Sequence, residues 1–89
     1  MRSVTTTRFR KAFEKLPSEI QQRARQAYNK WKKNPNHPSL HFKQIHDTQS
    51  IFSVRISLSY RAIGIKEEDI MIWFWIGSHE EYNTLIKQM

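Results

Sequence analysis

Two arginines, a histidine and a tyrosine in the second half of the chain have the types and spacing for chemistry on a phosphate. Arg55 falls on the polar parity of the alternating run Phe52-Ser-Val-Arg-Ile-Ser-Leu58, and Arg61 opens the next run after the short connection Ser57-Leu-Ser-Tyr60. A guanidinium is planar and permanently charged, so two on one sheet surface can fork onto phosphate oxygens and stabilise charge that develops during phosphoryl transfer. The alternative is a pair of solvated strand arginines. His79 stands at the first position of a closing helix, where unpaired backbone N–H groups favour anions. There it can serve as general base on a ribose hydroxyl or acid on a leaving oxygen, or be an ordinary surface histidine. Tyr82 follows three residues later on the same helical face, suited to stacking on a base or hydrogen-bonding a phosphate, or to a core position with a wet hydroxyl.

His37, His41 and His46 surround Lys43. His41 and Lys43 share one strand parity and suit an RNA-binding surface, the other reading being exposed strand residues. No carboxylate lies at ligand spacing among these histidines, no His pair is four apart on a helix, and the chain contains no cysteine, so neither a metal nor a cofactor is expected. A glycine-rich phosphate loop, a nucleophile elbow and paired catalytic carboxylates are all missing.

The elements that must position these residues are legible from periodicity. Phe9, Phe13 and Leu16 recur at helical spacing after an edge strand predicted near Ser3 to Thr6. Pro17 suits the first turn of a second helix, with Ser18 and Gln21 spaced for a capping box and Ile20, Ala24, Ala27, Tyr28 and Trp31 forming its apolar stripe. Arg23, Arg25, Lys30, Lys32 and Lys33 lie largely off that stripe, and Asn34 to Pro38 ends the helix. The short link around Leu16 makes the two helices a hairpin. Strands are predicted over about Leu40 to Ile45, Phe52 to Leu58, Tyr60 to Ile65 and Ile70 to Ile76. The last run is apolar on both parities and therefore belongs in the sheet interior; Trp73 and Trp75 share a parity with Met71, placing them on one face in the core. Gly77 then releases the chain, and Ser78 with Glu81 forms a capping box for a final helix carrying Tyr82, Leu85, Ile86 and Met89.

The chain has 89 residues, enough for a single domain over residues 1–89. Fifteen Lys and Arg against eight Asp and Glu leave a net charge of +7, which favours polyanionic partners. No segment approaches the roughly 20 apolar residues of a membrane span, and no secretory h-region opens the chain, so a cytoplasmic protein without a membrane partner is expected.

The phrases Phe52-Ser-Val-Arg-Ile56, Ser59-Tyr-Arg-Ala-Ile63 and Trp75-Ile-Gly-Ser-His-Glu-Glu-Tyr-Asn83 resemble the RelE/ParE superfamily of toxins from bacterial type II toxin–antitoxin pairs, over nearly the whole chain. The resemblance implies an α+β fold, a helical hairpin packed on a curved antiparallel sheet with a short C-terminal helix. In RelE-type members it implies cleavage of mRNA in the ribosomal A site, by metal-independent attack of the 2′-hydroxyl on the phosphate, and neutralisation by a cognate antitoxin. Carried over, Arg61 is the arginine of the Tyr-Arg phrase, Arg55 the basic residue of the preceding strand, His79 the residue after the glycine-bearing bend, and Tyr82 the aromatic of the closing helix. Ser53 and His79 stand where the best-known RelE pattern has a lysine and an arginine, a departure that resembles histidine-using relatives. Two other readings stand beside this one: a ParE-type DNA gyrase inhibitor or catalytically attenuated toxin-like binding protein, and a nucleic-acid-binding domain working by counterion release.

Overall fold

In a computed structural model that describes residues 1–89, the periodic segments become three helices and five strands. Their order is β1 (Arg2–Thr5), α1 (Thr7–Glu14), α2 (Ser18–Lys33), β2 (Lys43–Gln44), β3 (Ile51–Ser57), β4 (Tyr60–Glu67), β5 (Ile70–Ser78) and α3 (His79–Lys87). The sheet order is β1-β5-β4-β3-β2. Strands β2 to β5 pair antiparallel, as expected, but β1 pairs parallel to β5, so the sheet is mixed. The Thr6 hydroxyl accepts from the Phe9 N–H at 3.1 Å and starts α1 immediately after β1.

The helical hairpin covers one face of the sheet, α1 against β5 and α2 against β3. Trp31, 2% exposed, meets Trp73 edge to face at 5.3 Å and Phe42 at 6.0 Å, and Ala24, Ala27, Val54, Ala62, Met71 and Ile76 complete that core. Burying an aromatic of this size is worth several kcal/mol, about 3–5 kcal/mol by truncation. The opposite face carries a smaller core of Ile51, Ile63 and Tyr82, flanked by Ile65, Phe74, Trp75, Leu85 and Ile86. The doubly apolar β5 is thus covered on both sides, as its composition requires.

Four local expectations are corrected. Trp73 and Trp75 lie on opposite faces, because a bulge pairs Ile63 with Trp75 but Gly64 with Trp73, and the extra residue reverses the alternation. Gly77 does not release the chain: β5 continues through it to Ser78, and the Trp75 indole packs so close that a Cβ there would lie 2.7 Å from the ring. The run from Leu40 to Ile45 yields only two residues of strand, because Pro38–Leu40 forms a 3-10 turn that ends on His41 in the left-handed conformation, at φ 46°. Ser18 and Gln21 make no capping box. The Gln21 amide instead donates to the carbonyls of Phe13, Glu14 and Leu16 at 3.0–3.2 Å, closing the end of α1.

Candidate phosphate-binding site

The site grows from the β3–β4 hairpin. Its two-residue loop brings Ser57 opposite Tyr60, and a bulge at Ile56 then shifts the register so that Arg55 and Arg61 face each other directly across the strands. Side chains directly opposite in an antiparallel pair share a face and stand about 4.5–5.5 Å apart at Cβ, so the two cations are neighbours by construction. The Arg61 Nη1 donates to the carbonyl oxygens of Ser57 at 2.7 Å, Tyr60 at 2.9 Å and Leu58 at 3.3 Å, clamping the turn. The Arg55 Nη1 lies 3.3 Å from the His41 Nε2. Neither arginine has a carboxylate within salt-bridge distance, the one ion pair of the chain being Glu19 with Arg23. Partial burial, then repulsion from Arg55, hold the Arg61 pKa below its ordinary value, with Tyr82 opposing the shift.

On the other side of β4, Arg61 lies opposite Gly77 and Tyr60 opposite Ser78. His79 therefore begins α3 beside the hairpin tip, and its backbone N–H donates to the Ser59 carbonyl at 2.7 Å. The capping box expected at this helix is formed: the Ser78 hydroxyl accepts from the Glu81 N–H at 3.1 Å, and the Glu81 carboxylate accepts from the Ser78 N–H at 3.0 Å. That bond from the Ser78 backbone, with help from its hydroxyl, lowers the Glu81 pKa. The His79 ring is exposed and stacks on Tyr82, with centroids 6.2 Å apart and planes 18° from parallel.

Arg55, Arg61, His79 and His41 are thus gathered around one end of the exposed sheet face. His41 reaches Arg55 from outside any strand, so shared strand parity with Lys43 is not what brings it there. Lys43 pairs with Ser53 on the short edge strand and projects from the same face, exposed, one side-chain row away from Arg55. Tyr82 is 6% exposed, and its hydroxyl donates to the buried Ser53 hydroxyl at 3.1 Å. That placement corrects its expected use as a nucleotide-stacking surface: its ring supports His79 from below. Ser53 was legible only as a polar-parity residue of β3, and nothing in the spacing pointed to its bond with a residue on α3.

The ParE-like toxin domain matches residues 18–84 of the chain. Among solved structures, the fold is similar to a chain of the RelB-RelE antitoxin-toxin complex from Methanococcus jannaschii, at TM-score 0.74 and 14% identity, covering 92% of this chain and 96% of that one. It is similar to YafQ from E. coli strain BL21(DE3), at TM-score 0.73 and 8% identity, covering 92% and 98%. It is also similar to the isolated E. coli RelE toxin, at TM-score 0.67 and 14% identity, covering 98% and 96%. No curated protein matches the sequence.

Proposed function

The chain belongs to the ParE-like toxin domain family, and from that premise we propose that it is a ribosome-dependent mRNA endonuclease toxin held in check by a cognate antitoxin. The observation that carries the reading is the Arg55–Arg61 pair, two cations directly opposite one another with no carboxylate to neutralise them, ending beside an exposed imidazole. Like charges placed opposite each other destabilise a sheet, and an anion seated between them removes that cost.

In the proposed reaction the ribose 2′-oxygen attacks the adjacent phosphorus and the bond from phosphorus to the 5′-oxygen breaks. The proton of the 2′-hydroxyl goes to a base and a proton is delivered to the leaving 5′-oxygen. A 2′,3′-cyclic phosphate and a 5′-hydroxyl result. Arg55 and Arg61 hold the scissile phosphate and stabilise the charge that builds on its oxygens, and His79 is the acid or the base. His41 and Lys43 bind the strand beside it. Tyr82 positions His79 through its ring and is anchored by Ser53.

The antitoxin reading draws support from a groove of about 410 Å³ between α1 and α2, lined by apolar side chains that include Phe9, Phe13, Tyr28 and Ile76, with Arg10 and Arg25 beside them. An acidic amphipathic segment is complementary to it in both respects. Titrating the chain with the product of a neighbouring acidic reading frame should abolish its activity.

Expressing the wild type, His79→Ala and Arg61→Lys in growing cells and mapping RNA ends tests the enzyme reading. New mRNA 5′-hydroxyl ends are expected with the wild type and lost in both variants. A wild type that creates no new ends sinks it. DNA damage with intact mRNA would instead mark the chain as a gyrase inhibitor.

A further inference from the structure

Strand β2 pairs only with Phe52 and Ser53, so from Arg55 onward the outer edge of β3 has no strand beside it. Helix α2 and the 3-10 turn flank that open edge and leave a polar cleft of about 390 Å³. Arg23, Gln26 and Lys30 line it from one side of α2, at spacings of three and four residues that put them on one helical face. Ser39 lines it from the 3-10 turn, and Arg55 and Ser57 line it from β3. Three cations and no carboxylate face the cleft; Glu19, 3.9 Å from Arg23, is exposed on the preceding turn, where such a pair is worth little.

Arg55 belongs both to this cleft and to the Arg55–Arg61 pair, so an anion in one is contiguous with an anion in the other. We infer that the cleft between α2 and the open edge of β3 is a backbone subsite, binding the phosphates of the RNA strand that flank the one held between Arg55 and Arg61. Arg23 and Lys30 make the phosphate contacts, while Gln26 and the hydroxyls of Ser39 and Ser57 supply hydrogen bonds to phosphate or ribose oxygens. The strand turns over the edge of the sheet at Ser57 instead of running straight along its face. This rests on the assignment of Arg55 and Arg61 as the scissile-phosphate clamp, and it is tested by binding alone, so a failure of cleavage does not decide it.

The probe is a fluorescein-labelled 12-nucleotide single-stranded RNA, 2′-O-methylated throughout so that it cannot be cut, with its affinity measured across NaCl concentrations. Each phosphate contact to a single strand contributes about 0.7 to the slope of log affinity against log salt. The double variant Arg23→Gln/Lys30→Gln should therefore lower the slope by about 1.4. The charge-matched control Lys11→Gln/Lys15→Gln, on exposed positions of α1 and its C-terminal cap outside the cleft, should leave it unchanged. Equal losses in both variants would reduce the effect to net charge and overturn the subsite, as would an unchanged slope in the cleft variant. Displacement of the RNA by inorganic phosphate at low millimolar concentration would also overturn it, in favour of a pocket for a small anion. Thermal melts of both variants exclude unfolding as the cause of any loss.

Discussion

Arg55 and Arg61 occupy equivalent places in the β3–β4 ladder and have opposite consequences for stability. Arg61 donates to three carbonyls of its own turn and so holds the hairpin together. Arg55 has only the His41 nitrogen for a partner and faces a second cation. Arg55→Gln should therefore stabilise the fold by about 0.2–1 kcal/mol, raising Tm by about 4–8 °C for each kcal/mol gained in a domain of this size. The same substitution should reduce RNA cleavage by about 10²-fold, the usual cost of one donor to a developing oxyanion. A melt and a count of RNA ends check both halves. If Tm falls instead, the pair is not a stored repulsion, and the main argument for an anion at this place fails. Arg61 is lowered in pKa but stays ionised at neutral pH, so its clamp persists across the physiological range.

At the scale of elements, the bulge in β5 and the box on α3 decide where the site sits. Gly64 is required because the Trp73 ring lies over it: a Cβ there would meet the indole at 2.7 Å and the Met71 sulfur at 2.9 Å. Both neighbours are fully packed, so Gly64→Ala should destabilise by about 1–3 kcal/mol, read as a shift in the urea midpoint. An unaffected midpoint would mean that the bulge is soft. Ser78→Ala should cost about 1 kcal/mol at any pH, whereas Glu81→Gln carries a pH signature. The folded-state pKa of Glu81 is lowered, so its contribution is present above the ordinary glutamate range and is lost as pH falls through the folded value. Below that value wild type and Glu81→Gln should converge in stability, measured by melts from pH 7 down to the acid limit of folding. A gap that stays constant over that span would exclude the Glu81 half of the box.

For the whole molecule the dominant fact is charge. A net +7 over 89 residues, with the exposed Arg23–Glu19 pair as its one ion pair, makes the folded state self-repelling. The Debye length shrinks from about 30 Å at 0.01 M salt to about 10 Å at 0.1 M. Raising NaCl over that interval should raise Tm while lowering affinity for RNA, two opposed trends from one cause. Thermal melts and RNA binding in the same salt series test this. A Tm that falls with NaCl would show that the basic surface is already compensated within the fold.

Patterns that depend on neighbours in the chain were legible without coordinates. Period two over Phe52 to Leu58, period 3.6 over Ile20 to Trp31 and the Ser78–Glu81 box became β3, α2 and the cap of α3, because each is stabilised by contacts within a few residues. The nearness of the two arginines was legible for the same reason, since a short hairpin keeps its flanks together, but their direct opposition was not: the loop's own register would set Ile56 against Arg61, and a bulge between Arg55 and Ser57 replaces it with Arg55. Partners drawn from distant segments were not. The Gln21 amide went to the end of α1, Trp75 crossed to the other face through one extra residue, β1 joined β5 in parallel, and Tyr82 sank onto Ser53, 29 positions away. The cleft that joins Arg23 and Lys30 to Arg55 likewise exists only because β2 stops short. Local sequence sets the conformation of a segment, but which distant surface satisfies its donors and covers its apolar side is settled by packing of the whole chain.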